Sequence, residues 1–184
     1  MPSSQQYSAS LTCHPDTRST PVRSIEARIS RSQDGILAVS YVVSGDLDRV
    51  RVPPPRAPRI ADRLWQHTCC EIFISKNLPA YHEFNFSPSG EWASYAFERF
   101  REGAPLMNDA LDPRVTVRRN AETLELDVLI PLARLSPMHS QGPLTLAVSA
   151  VVEDDVGGLS YWALAHPTGK PDFHHPDAFA LELQ

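Results

Sequence analysis

Glu71, Glu83 and Asn85, together with the tryptophans at positions 65 and 92, are the residues of this chain whose types and spacing could do chemistry. In an extended strand alternate residues share a face, so Cys70, Ile72 and Ile74 fall on one side of segment 69–75, and Glu71, Phe73 and Ser75 on the other. In segment 81–86, His82, Phe84 and Phe86 oppose Tyr81, Glu83 and Asn85. Reading Ser87-Pro88-Ser89-Gly90 as a four-residue hairpin loop sets Phe86 opposite Glu91 and Phe84 opposite Ala93. The core face then holds Ile72, Ile74, Phe84, Phe86, Ala93, Tyr95 and Phe97. The reverse face collects Glu71, Phe73, Glu83, Asn85, Trp92, Ser94 and Glu98. A ring beside carboxylates and an amide on a rigid sheet suits sugar recognition: the ring stacks on the apolar face of a pyranose, and the acceptors take its hydroxyl hydrogens. A one-residue slip of the same register buries Trp92 instead.

Other chemistries have candidates too. Glu71 and Glu83 could serve a glycosidase as an acid/base pair, given a separation of roughly 5–5.5 or 6.5–9.5 Å across a cleft. Asp172, His174 and His175 could ligate a metal, with Asp172 and His174 on one side of an extended segment and His175 on the other. The flanking Pro171 and Pro176 equally suit a rigid, hydrogen-bonded loop. Glu153-Asp154-Asp155 before Gly157-Gly158 offers oxygen ligands to calcium, although the spacing of a calcium loop is missing and a solvated turn fits the same residues. Ser87-Pro88-Ser89-Gly90 lacks the GxSxG pattern of a nucleophile elbow. The apolar neighbours of Cys69 and Cys70 point to inert, buried thiols.

The elements that must position these residues read as strands. Seventeen prolines in 184 residues interrupt helices along the whole chain. Between them lie short alternating or β-branched runs: Ser24–Ser30, Ile36–Val43, Asp48–Val52, Cys69–Ser75, Tyr81–Phe86, Trp92–Phe100, Arg114–Arg118, Thr123–Ile130, Leu144–Val152, Leu159–His166 and Ala178–Leu183. The clearest is 124–130, where even positions are apolar and Glu125 and Asp127 alternate with them. Short helical turns are expected at Ala61–Gln66, Pro105–Leu111 and Pro131–Leu135, and Val52–Pro58 must run as an extended, proline-rich loop. About eleven strands with regularly spaced turns predict an all-β chain, residues 1–184 as a single domain: a two-sheet antiparallel β-sandwich of jelly-roll or immunoglobulin-like type.

Composition bounds the partners. A net charge of −5, without clustered basic residues, argues against nucleic acid. The longest strongly apolar run, Leu144–Val152, is far short of the roughly 20 residues a membrane helix needs. The first six residues have neither a basic start nor an apolar stretch, so no secretory signal and a cytoplasmic location are expected. Three cysteines without a CxxC pair fit reduced thiols.

Segments Asp62–Ile74 and Tyr81–Trp92 resemble the DOMON-like group of bacterial proteins, which is similar to family 9 carbohydrate-binding modules. Their shared pattern runs from a Trp through an acidic strand to an aromatic strand ending in a Ser/Asn-Pro-x-Gly turn. Leu11–Pro15, Tyr161–Leu164, His166-Pro167 and Lys170–Pro176 extend the likeness over nearly the whole chain. The resemblance implies a non-catalytic β-sandwich that binds a small molecule, a saccharide in carbohydrate-binding members; Trp65, Glu71, Asn85 and Trp92 match its pattern, and Glu83, on the same sheet face by register, completes the candidate site. The wider superfamily also holds haem-binding members that use a Met with a His or Lys as axial ligands, for which Met107, Met138, Lys76 and Lys170 are available.

Overall fold

The computed structural model describes residues 6–184, and these form twelve strands joined by a few short helical turns. In chain order the strands are β1 (Gln6–Cys13), β2 (Val22–Arg31), β3 (Ile36–Gly45), β4 (Cys69–Ser75), β5 (Tyr81–Phe86), β6 (Trp92–Arg99), β7 (Glu102–Pro105), β8 (Arg114–Arg119), β9 (Thr123–Pro131), β10 (Leu144–Glu153), β11 (Leu159–Ala163) and β12 (Leu181–Leu183). They make one antiparallel ladder, β7-β6-β5-β4-β10-β11-β1-β2-β3-β9-β8, with β12 also paired to β10. β1 carries the ladder from one layer to the other. Its first six residues pair with β2, from Gln6 opposite Ser30 to Leu11 opposite Ile25, whereas Thr12 and Cys13 pair with Ala163 and Trp162 of β11.

The ladder thus folds back on itself as a sandwich. Apolar side chains from both halves share one core: Ile25, Ile29, Val39, Leu126 and Val128 from one layer, Ile72, Ile74, Phe84, Phe86, Leu146 and Val148 from the other. Each such side chain, fully withdrawn from water, contributes roughly 1.5–3 kcal/mol. Tyr41 of β3 is fully buried, and its hydroxyl donates to the backbone carbonyl of Glu71 on β4 at 2.7 Å, a polar tie across the core. The alternation at 124–130 holds throughout: Leu124, Leu126, Val128 and Ile130 are buried, while Arg118 grips Glu125 and Asp127 outside.

Three expected turns form, at Leu64–Gln66, Asp109–Leu111 and Leu132–Leu135. Expected strand 48–52 does not. Leu47–Arg49 coils into a 3-10 turn that buries Leu47, leaving only a bridge between Val50 and Asp154. β1 and β7 are strands the pattern did not announce, because β1 is mostly small and polar and β7 is an exposed edge. Among the described residues no helix is long and apolar enough to cross a membrane.

The register of β5 and β6 differs from expectation by one residue. Phe86 faces Trp92, Phe84 faces Ser94 and Glu83 faces Tyr95. The connecting loop has five residues, closed by Ser87 N–H to Glu91 C=O at 2.9 Å, with Gly90 at φ 93° in the left-handed region. Glu91 ends the loop because its carboxylate is held by Arg59 and by the Ser89 hydroxyl. One extra loop residue reverses the facing of every following side chain. Trp92, 4% exposed, therefore enters the inter-sheet core, and Tyr95 and Phe97 move to the outer face beside Glu83.

Candidate functional site

The outer face of β4, β5, β6, β10 and β11 carries two polar-centred rows. Across one, Ala163, Ser149, Glu71, Asn85 and Ala93 stand side by side; across the next stand Ala147, Phe73, Glu83 and Tyr95. Glu71 thus stands between Ser149 and Asn85, and Glu83 between the rings of Phe73 and Tyr95. Two segments rise over this floor and leave a cavity of about 530 Å³ between them.

The first wall is the Leu64–Gln66 turn, which packs on β4 and β5. It is reached through backbone hydrogen bonds that pin Arg59 and Ala61 to Trp92. Asp62 accepts from the Tyr95 hydroxyl at 2.8 Å, tying this wall to the floor, and Trp65 is left 47% exposed at the cavity edge. The second wall is segment 166–174. His14 bonds the Gly169 carbonyl at 2.9 Å and His166 the Thr12 carbonyl at 2.8 Å, with the two rings edge to face, so the histidines before prolines hold the segment against the end of β1. Phe173, Ala178 and Phe179 pack on Phe73 and Tyr81 in a second, smaller apolar cluster outside the main core.

Within the cavity the aromatic surfaces are Trp65, Tyr95, Phe97, Tyr161 and Phe173, and the polar groups are Glu71, Glu83, Arg101, Lys170, Asp172 and His174. Burial pushes the Glu71 carboxyl well above the usual carboxylate range, and the charge of Glu83 adds to that. Burial also raises Glu83, to about 7, against the opposing pull of the Asn85 amide hydrogen bond and the Arg101 charge. Asn85 donates to Glu83 Oε1 at 2.9 Å, while its own Oδ1 is buried with no partner among the described residues. Arg101 is spoken for by Asp172 at 2.8 Å.

A hydrogen-bonded chain sets the state of His174. The backbone N–H of Arg101 donates to the Tyr81 oxygen at 3.1 Å, and the Tyr81 hydroxyl lies 2.9 Å from His174 Nδ1. Burial, reinforced by Arg101 and opposed by Asp172, lowers His174 to about 4, so the ring is neutral at pH 7. With Nδ1 accepting from the phenol, the ring proton sits on Nε2, 3.7 Å from Glu83 Oε2.

Of the residues singled out from the sequence, Trp65, Glu71, Glu83, Asp172 and His174 line this cavity together. Asn85 lies beneath, acting through Glu83. Trp92 is on the opposite side of the sheet. His175 turns away and accepts from the Asp177 N–H, and among the described residues no three His, Cys, Asp or Glu side chains form a metal-holding group. The Glu153–Asp155 carboxylates are engaged by Arg51, His67 and Arg49 and by the turn that Asp154 caps. Met107 and Met138 are 73% and 66% exposed, Lys76 bonds the Gln141 and Pro143 carbonyls, and none of the three lines the cavity. Sequence reasoning missed Tyr95, Phe97, Arg101, Tyr161 and Phe173. The alternation of Tyr161 with core Trp162 is the one local signal that could have exposed Tyr161.

No family model matches the chain, and no curated protein matches it in sequence. Solved structures do match its fold. A protein from Bacteroides uniformis ATCC 8492 assigned as carbohydrate-binding superposes with a TM-score of 0.68 at 16% identity, covering 97% of this chain and 85% of its own. A family 9 carbohydrate-binding module from Caldicellulosiruptor kristjanssonii, in complex with cellotriose, gives a TM-score of 0.56 at 12% identity over 90% of this chain and 76% of its own. The same kind of module from that organism in complex with glucose gives 0.53 at 14% identity, over 90% and 78%. The likeness is one of fold. It extends over nine-tenths or more of this chain in all three comparisons.

Proposed function

We propose that this protein binds a saccharide in the outer-face cavity, as a variant of the DOMON-like group. The observation that carries the reading is the cavity itself: aromatic rings around a floor of buried carboxylates, a combination that stacks a pyranose and accepts its hydroxyl hydrogens. The fold neighbours support it, since two of them hold cellotriose and glucose. Trp65 supplies the exposed stacking surface, Tyr161 and Phe173 the facing one, and Glu83 the acceptor, held in place by Asn85. Calorimetric titration with glucose, cellotriose and a panel of other mono- and oligosaccharides tests it. Binding that weakens at least tenfold in Trp65→Ala is expected; a panel that leaves heat and melting temperature unchanged overturns the reading.

A second reading rests on the same carboxylates. Glu71 pushed well above the usual carboxylate range and Glu83 raised to about 7 suit the division into acid and base that glycoside hydrolysis uses. Release of nitrophenol from aryl glycosides, abolished in Glu83→Gln, is its signature.

A further inference from the structure

The floor of the cavity is rich in acceptors and poor in cations. Glu71 stands between Ser149 on β10 and Asn85 on β5, and Glu83 lies diagonally across the β4–β5 ladder from it. Glu71 and Glu83 are 3% and 5% exposed. Asn85 gives an amide hydrogen to Glu83, and its Oδ1 is buried and unpaired; the Ser149 hydroxyl is buried and unpaired as well among the described residues. The Ser149 hydroxyl therefore does not donate to the Glu71 carboxyl beside it. The protein's own cations do not fill this gap. Arg101 is committed to Asp172, and Lys170 is an exposed residue of the outer wall.

Two adjacent carboxyl groups out of water cannot both ionise at low cost, and a ligand hydroxyl offers one hydrogen and no charge to relieve them. An ammonium offers three hydrogens and the missing positive charge. The rings of Tyr95, Phe97 and Tyr161 beside it add the negative faces that attract a desolvated cation. We propose that the cavity selects ligands carrying a protonated amine, which lies on the Glu71 and Glu83 carboxylates; resting on the saccharide reading, the ligand class is the amino sugars. A neutral hexose satisfies the same acceptors only in part and leaves a proton to be shared between the two carboxyls.

The test is isothermal titration of the full chain at pH 7 with glucosamine, galactosamine and mannosamine, each beside its parent hexose and its N-acetyl form, and with ethanolamine as an amine without a sugar. At least one amino sugar is expected to bind ten or more times as tightly as both of its uncharged counterparts. That preference should fall at least tenfold in Glu71→Gln and in Glu83→Gln. The wild-type comparison needs no variant, so it stands even where a substitution perturbs folding. Parent or N-acetyl sugars that bind as tightly as the amines, or an amine preference that survives both Gln variants, overturn the inference and leave the saccharide reading intact. Ethanolamine binding with no sugar bound overturns the saccharide reading and keeps the amine site. Silence from every probe overturns both.

Discussion

The two faces of the β4–β5–β6 sheet are built from the same strands and finished differently. On the inner face Cys70, Ile72, Ile74, Phe84, Phe86 and Trp92 meet the opposite layer and leave an apolar core. On the outer face Glu71, Glu83, Tyr95 and Phe97 line a cavity, with carboxyls raised by burial and, beneath them, the Asn85 amide oxygen unpaired among the described residues. Burial on the inner face lowers the free energy of the fold. On the outer face burial of charge raises it, and a ligand that brings donors recovers the difference. Stability and binding are therefore separable by face.

The sharpest way to break that comparison is at Trp92. Trp92→Ala should cost about 3–5 kcal/mol of unfolding free energy in urea, the range for emptying a core aromatic site, while the folded fraction keeps its ligand affinity within twofold. A Trp92→Ala protein of normal stability that has lost its ligand would move this residue to the other face. Next in size is the pH response of Glu83→Gln. The folded carboxyl of Glu83 sits near 7, above its ordinary 4.5. Its contribution is fully present below about 4.5 and is lost as pH rises through about 7. Melts of wild type and Glu83→Gln from pH 4.5 to 8 should diverge, the variant gaining in relative stability by on the order of 3 kcal/mol. Parallel curves would place Glu83 in water. His174 titrates with the opposite sign: lowered to about 4, it contributes stability above its ordinary 6.5 that is lost as pH falls through about 4. The wild-type profile alone is thus flatter than either group's, and the variant difference is the quantity to read.

Trp65→Ala sharpens the comparison from the other side. It should leave stability within about 0.5 kcal/mol, as for an exposed side chain, and lower saccharide affinity by tenfold or more in calorimetry. Smallest is Tyr81→Phe, which removes the phenol joining Arg101 to His174. A loss of about 1 kcal/mol in thermal or urea unfolding is expected, with binding changed less than in Glu83→Gln.

What was legible in the sequence follows from the range of the interaction that sets it. The outward turn of Glu125 and Asp127 is decided by alternation within one strand, and it reads correctly. The facing of Glu71 relative to Ile72 is decided the same way. Trp92 depends on whether a loop has four or five residues, which rests on the Arg59–Glu91–Ser89 contacts and is invisible to alternation. Tyr161 and Phe173 join the site through the pairing of β10 with β11 and the path of segment 166–174, and Arg101 through the β6–β7 turn and its ion pair with Asp172. β1 is hidden for a related reason: its short side chains fit a strand that must serve both layers, and they carry little apolar signal.

The three tryptophans provide the most direct measurement of the central claim, that a saccharide occupies the outer face. Trp65 is at the cavity edge, Trp92 is in the core, and Trp162 is in the core with its indole N–H on Ser160. In a proton–nitrogen correlation spectrum titrated with a binding saccharide, the Trp65 indole signal should shift to saturation while those of Trp92 and Trp162 stay in place. A saturable shift of either core indole with Trp65 unmoved would contradict the account.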